Sequence, residues 1–218
     1  MREGERRMIK GTPEMIAQRR ETIINACETL YRTMSFRDIT LKEIGNAVPF
    51  SRPTIYNYFE TKEEIFLALF TREYDRWNAD LETILSENET LERGQIADRI
   101  ARSLEKRTQL LKLLSMNNFD MEANSRQELL TAFKVSYGKS LANVRRILEA
   151  FCPEMDAKGV ERFIYVFFPF LFGVYPYTAV TEKQRAAMRD AGVAYTYQSV
   201  YEIIRACICG LLGEGGED

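Results

Sequence analysis

The 218 residues carry 45% hydrophobic and 28% charged side chains with only 12 Gly and 6 Pro, the proportions of a folded globular protein rather than of a disordered or collagen-like chain. Histidine is absent, which excludes Ser-His-Asp and Cys-His catalytic sites and every Cys/His zinc pattern. The net charge of −2 is unevenly divided: residues 1–62 hold 11 Lys+Arg against 8 Asp+Glu and residues 63–218 hold 19 against 24, so a positive amino-terminal part precedes an acidic body.

The periodicity predicts an all-α chain. From 14 to 34 the apolar residues Ile16, Ile23, Ile24, Cys27, Leu30, Tyr31 and Met34 recur at three and four, one face of an amphipathic helix. Thr40 followed by Glu43 is a capping box for a short second helix whose inner face is Leu41, Ile44 and Val48. Pro49 ends that helix, and Ser51 is placed to cap a third over 52–59, with Pro53 in the first turn where its missing N–H is not needed. Thr61 and Glu64 form a second capping box, after which Ile65, Phe66, Leu69, Phe70, Tyr74, Trp77 and Leu81 sustain the helical period. Three short helices and a long one, with a break of a few residues between the second and third, have the spacing of a helix-turn-helix.

Beyond the polar stretch 86–90, helical pattern returns over 91–114 and 125–151. Pro153 and Gly159 bracket a break, and residues 163–180 carry eight aromatics and no charge, interrupted by Pro169, Gly173 and Pro176, which are expected to break the helix. A last helix is expected over 182–212, before a Gly-rich acidic tail. The expected domains are an arm and DNA-binding unit over 1–60, a connecting helix over 61–85 and a larger helical domain over 86–218. Cys27, Cys152, Cys207 and Cys209 are scattered and the first twelve residues are polar, so free thiols, a cytoplasmic location, no metal and no cofactor are expected. The uncharged run reads as a buried core helix, with no membrane partner.

The run 44–62, IGNAVPFSRPTIYNYFETK, closely resembles the helix-turn-helix signature of the TetR family of transcriptional regulators. Ser51, Thr54, Ile55, Tyr56, Tyr58, Phe59 and Lys62 match it in order and spacing, and Thr40 matches the polar residue that opens the family's second helix. Gly45, Pro49 and Phe50 stand where the family usually has Ala, Gly and Val. Because Pro cannot take positive φ, the turn must differ locally or move its strained position by a residue.

The resemblance implies a homodimeric repressor that binds a near-palindromic operator in double-stranded DNA and is released by a small-molecule effector. Arg52, Pro53, Thr54 and Asn57 fall where base edges are read, Arg suiting guanine and Asn suiting adenine. Thr40, Ser51, Tyr56, Tyr58 and Lys62 fall nearer the phosphates, where hydroxyls and an ammonium fix register without reading sequence. Ile55 and Phe59 belong to the core. Arg2, Arg6, Arg7 and Lys10 could form a minor-groove or phosphate arm, while the interleaved Glu3 and Glu5 equally fit a disordered tail. Trp77, Met116, Asn117, Phe119, Phe133, Tyr137, Phe168 and Tyr175 are candidates to line an apolar effector cavity. Residues 163–177 and 195–212 are candidates for a four-helix dimer surface. The competing readings are a DNA-binding factor without a ligand and an all-helical small-molecule enzyme; for the latter the sequence offers no catalytic constellation.

Overall fold

Helix α1 (Pro13–Thr33) begins where the Thr12 hydroxyl accepts the Met15 N–H at 3.3 Å, with Pro13 at its first position, and buries Ile23, Ile24, Ala26, Cys27 and Tyr31 along one face. The computed structural model describes residues 12–116 and 118–213. These residues are helices and connecting turns, eleven helices and no strand among them, and the all-α class is as the periodicity predicts.

The chain divides into two compact units. The first holds the residues up to Arg72 together with Asn118–Phe133; the second holds Glu73–Asn117 and the residues from Lys134 onward. Helix α4 (Lys62–Glu87) runs from one unit into the other, and the first unit recruits a segment far downstream.

In the first unit α1 is followed by α2 (Leu41–Asn46), α3 (Arg52–Ile55) and the start of α4. Ile23, Cys27, Ile39, Ile44, Ile55, Phe59, Ile65, Phe66 and Leu69 are fully buried, each large side chain adding roughly 1.5–3 kcal/mol. Phe66 meets Tyr31 and Phe36 edge-on, with ring centroids 5.1 and 4.8 Å away. Arg72 pairs with Glu21 at 2.9 Å and Glu28 at 2.6 Å, joining α4 to α1. The recruited segment contains α7 (Asn118–Ala123) and the start of α8 (Gln127–Phe151), and its Phe133 stacks on Phe70 at 4.9 Å.

The second unit is built on α5 (Arg93–Glu105), α6 (Thr108–Leu114), α9 (Ala157–Thr178), α10 (Glu182–Asp190) and α11 (Val200–Leu212). The buried face of α5, Ile96, Ala97, Ile100 and Leu104, packs on α11, which contributes Ile204, Ile208 and Leu212. Tyr201 donates to Asp98 at 2.7 Å and Arg93 donates to the Leu212 carbonyl at 2.7 Å, fixing both ends of α11.

Four expectations are corrected. The segment 91–114 is two helices, because Arg107 leaves helical geometry at ψ 41°. The single last helix is also two: Gly192 turns the chain at φ +64°, residues 193–199 are non-helical, and Ser199 with Glu202 caps a fresh helix. Conversely α9 continues through Pro169 and Pro176. Each proline removes one N–H bond to the carbonyl four residues earlier, at Tyr165 and Phe172, both on the outward face of the helix, while the inner face stays packed. Nor is α9 buried all round. Phe163, Phe167, Phe168 and Leu171 face the core, while Tyr165, Val166, Phe172 and Tyr177 face outward, Tyr165 being 75% exposed. Among the described residues no single helix is long and apolar enough to cross a membrane.

Candidate nucleic-acid interface

The first unit carries the segment singled out by the sequence. Thr40 caps α2 by accepting the N–H groups of Lys42 (3.2 Å) and Glu43 (3.4 Å). The Glu43 carboxylate returns to the Thr40 hydroxyl rather than to its backbone N–H, so half of the expected capping box is exchanged for a side-chain pair. Helix α2 ends at Asn46, three residues before Pro49, with Ala47 at φ −96° and ψ 0°. No residue of the turn takes positive φ; among the described residues only Gly192 and Gly213 do. The turn thus dispenses with a left-handed residue, which reconciles Pro49 with the helix-turn-helix.

Ser51 stands at the N-cap of α3, but its hydroxyl pairs with the Thr54 hydroxyl at 2.9 Å and caps no backbone group. Regular helix covers Arg52–Ile55 only; the Tyr58 and Phe59 N–H groups still bond to the Ile55 carbonyl, at 2.8 and 3.0 Å, so the helical turn runs on to Phe59. Ser51, Arg52, Pro53, Tyr56 and Asn57 are exposed on the outer side, Thr54 is half-buried, and Ile55 and Phe59 are fully buried beneath them. Arg20 lies over the Phe59 ring at 5.1 Å.

Two residues expected at the phosphates stand differently. Tyr58 is only 7% exposed, its ring within the core. Lys62 is half-buried: its ammonium donates to the Phe36 (2.9 Å) and Ile39 (3.1 Å) carbonyls and sits 4.2 Å from the Phe36 ring centroid. It therefore braces the α1–α2 loop and keeps one N–H for another acceptor. Two exposed cations that sequence reasoning passed over, Arg37 and Lys42, flank Thr40 and add to Arg52. Their signal was present as basic residues on either side of a helix cap. The basic residues of the first eleven positions lie outside the described residues.

Behind this surface, Glu64 is 1% exposed and held by Arg126, whose Nε and Nη2 reach the two carboxylate oxygens at 2.6 and 2.8 Å. Burial works to raise the Glu64 carboxyl, but the hydrogen bonds from Arg126 and from the Glu60 N–H outweigh it and leave it below the ordinary carboxylate range.

The expected effector residues are divided between the two units. In the second unit Trp77, Tyr137 and Phe168 pack as one aromatic cluster, the Phe168 ring 5.8 Å from Trp77 and 5.9 Å from Tyr137, with Tyr74 against both. Trp77 donates to the Ser103 hydroxyl at 3.0 Å, and Asn143 and Asn78 form a buried amide pair beside it in the same unit. Met116 and Tyr175 are half-buried in that unit. Phe133 belongs to the first unit, Phe119 is 84% exposed, and Asn117 lies outside the described residues. The sequence did not point to two adjoining apolar grooves of about 340 and 440 Å³ between α9, α10 and residues 193–199, both lined by Tyr177 and Tyr195.

Residues 71–213 match the family described as tetracyclin repressor-like, C-terminal domain, and residues 23–69 match the bacterial regulatory proteins of the tetR family. The chain belongs to the TetR family. This TetR-family chain is accordingly a sequence-specific, DNA-binding, ligand-responsive transcriptional repressor of a family that acts as dimers. No match was found among curated protein sequences. Among solved structures the fold is similar to that of the fatty acid degradation regulator FadR from Bacillus halodurans, at 16% identity and TM-score 0.60, covering 96% of this chain and 100% of that one. It is similar to FadR from Bacillus subtilis, solved with stearoyl-CoA, at 17% identity and TM-score 0.58, covering 90% and 99%. A transcriptional regulator from Cytophaga hutchinsonii gives 17%, 0.58, 89% and 94%.

Proposed function

We propose that this repressor reads a near-palindromic operator in the cytoplasm as a homodimer, with Arg52, Pro53, Thr54 and Asn57 at base edges and Ser51, Tyr56, Thr40, Arg37 and Lys42 at phosphates. The observation that carries this reading is the two-sided α3 segment: Ile55 and Phe59 are buried, while Arg52, Pro53, Tyr56 and Asn57 are exposed, as are the cations Arg37 and Lys42. Lys62 contributes by holding the α1–α2 loop, and its free N–H is available to a phosphate.

The outward face of α9, with α11, supplies the dimer surface: its aromatics are exposed in the single chain, and a two-fold pairing would bury them. The effector presents an apolar chain that enters the Trp77–Tyr137–Phe168 cluster from Tyr137, its half-buried member, and favours a state that does not fit DNA. A long-chain acyl-CoA is the first compound to try, because the Bacillus subtilis regulator of the same fold was solved with one. No reaction is assigned to the chain.

The test is to select a duplex from a random library with the purified protein and titrate it by fluorescence anisotropy, then add stearoyl-CoA. Binding at least about a hundredfold tighter to the selected duplex than to a scrambled one supports the reading. Equal affinity for both would overturn it.

A further inference from the structure

The recognition segment is held from outside the helix-turn-helix. Arg126, just before α8 and 62 residues beyond Glu64, grips both oxygens of that buried carboxylate with Nε and Nη2, and its backbone N–H adds a third bond to Glu64 at 3.1 Å. The same Nη2 donates to the Tyr58 carbonyl at 3.1 Å. That carbonyl closes the helical turn bearing Arg52, Thr54 and Asn57, where acceptors run out of intrahelical donors. One turn away, the Thr61 hydroxyl donates to the Asn124 carbonyl at 3.0 Å and accepts the Glu64 N–H at 3.1 Å. Glu60 stands 3.5 Å from Arg126 on the exposed side. The 124–126 turn therefore touches the far end of the recognition segment, the connection after it and the first turn of α4.

We propose that Arg126 is a positioning residue for operator recognition: by tying the Tyr58 carbonyl to Glu64 it sets the angle at which the α3 side chains meet the base edges. This rests on the DNA-reading assignment above. A planar guanidinium bound at several points fixes orientation, which a single ammonium bond does not. Base readout depends on orientation, whereas attraction to phosphates does not, so loss of the tether reduces discrimination more than it reduces binding to arbitrary DNA. The segment carrying Arg126 follows α6, which belongs to the second unit, and leads into α8, whose first residues belong to the first unit and whose remainder belongs to the second.

Separating positioning from stability requires a variant without a stranded charge. Arg126→Met alone leaves a buried carboxylate unpaired and is expected to destabilise the protein. The informative variant is Glu64→Gln with Arg126→Met, which removes both charges and the link to Tyr58. Wild type and double variant are titrated against the selected and scrambled duplexes, with melting temperature and dimer mass recorded. The expected result is a melting temperature close to wild type, a scrambled-duplex affinity within about twofold, and a preference for the selected duplex lower by about tenfold. A folded double variant with the wild-type preference overturns the proposal. Should the double variant not fold, Arg126→Lys carries the test: the charge stays, the multipoint grip is lost, and the preference is expected to fall by about threefold. An unchanged preference overturns the proposal there too. A wild type without any preference contradicts the DNA-reading assignment instead, and is seen before any variant is made.

Discussion

Arg52 lies directly against Gly45: a methyl group on the Gly45 Cα would stand 3.3 Å from both Cβ and Cγ of Arg52. The glycine is what lets the first residue of α3 rest on α2, and it ties the departure from the family's usual Ala to the residue proposed to read guanine. Gly45→Ala is expected to stabilise α2 by its helix propensity while displacing Arg52 by a few tenths of an ångström. Preference for the operator should fall by roughly threefold to tenfold with little change in melting temperature. Melting curves and paired titrations check both halves.

Lys62 and Lys42 are expected to behave differently although both are basic and near the duplex side. Lys62→Met releases the Phe36 and Ile39 carbonyls, so it should lower the melting temperature and weaken binding to selected and scrambled DNA alike. Lys42→Ala, at an exposed position, should leave the melting temperature unchanged and reduce the slope of log affinity against log salt by about 0.9 per lost phosphate contact. Titrations at four salt concentrations separate the two.

The Glu64 carboxyl is held below its ordinary value in the folded protein, so its contribution to stability is fully present above the unfolded glutamate value of about 4.3 and is lost as pH falls through the lower folded value. Wild-type melting temperature should therefore drop more steeply on acidification below that point than that of the Glu64→Gln, Arg126→Met double variant. Parallel curves from pH 7 to pH 3 would show that the pair contributes nothing to acid stability.

The outward face of α9 should control assembly. Tyr165→Glu and Phe172→Glu change exposed side chains of the single chain, so helical content should be retained while light scattering moves from dimer to monomer mass. Operator affinity should then collapse, because one reading head contacts only half of a near-palindrome.

Trp77 is the only tryptophan, fully buried and bonded to Ser103, so it reports on the aromatic cluster directly. Phe168→Ala should cost about 3–5 kcal/mol and leave a hollow beside the indole. An effector that enters there is expected to shift or quench Trp77 emission with the same midpoint at which it releases DNA.

What was legible in the sequence was local. Thr40, Ser51 and Thr61 marked helix starts, and the buried set Ile23, Cys27, Ile44, Ile55 and Phe59 followed from a spacing of three and four. The start of α11 was written just as plainly, in Ser199 and Glu202, yet the helix-forming residues of α10 before it masked the break at Gly192. Pro169 and Pro176 misled in the opposite direction, because the burial of Phe163, Phe167, Phe168 and Leu171 along the inner face offsets the loss of a hydrogen bond at each proline, which spacing does not disclose. The grip of Arg126 on Glu64 was invisible for a different reason: it depends on a partner 62 residues away, and no local pattern encodes a partner at that distance.

The most direct test of the account is a titration of wild type and Arg52→Ala against the selected duplex and a set of single base-pair variants of it at fixed salt. The account predicts that wild type loses affinity at specific base pairs of each half-site, and that Arg52→Ala becomes indifferent to the identity of one of them while still binding scrambled DNA nearly as well as before. An Arg52→Ala protein with the wild-type pattern of base preferences, or a wild type with no pattern, would contradict it.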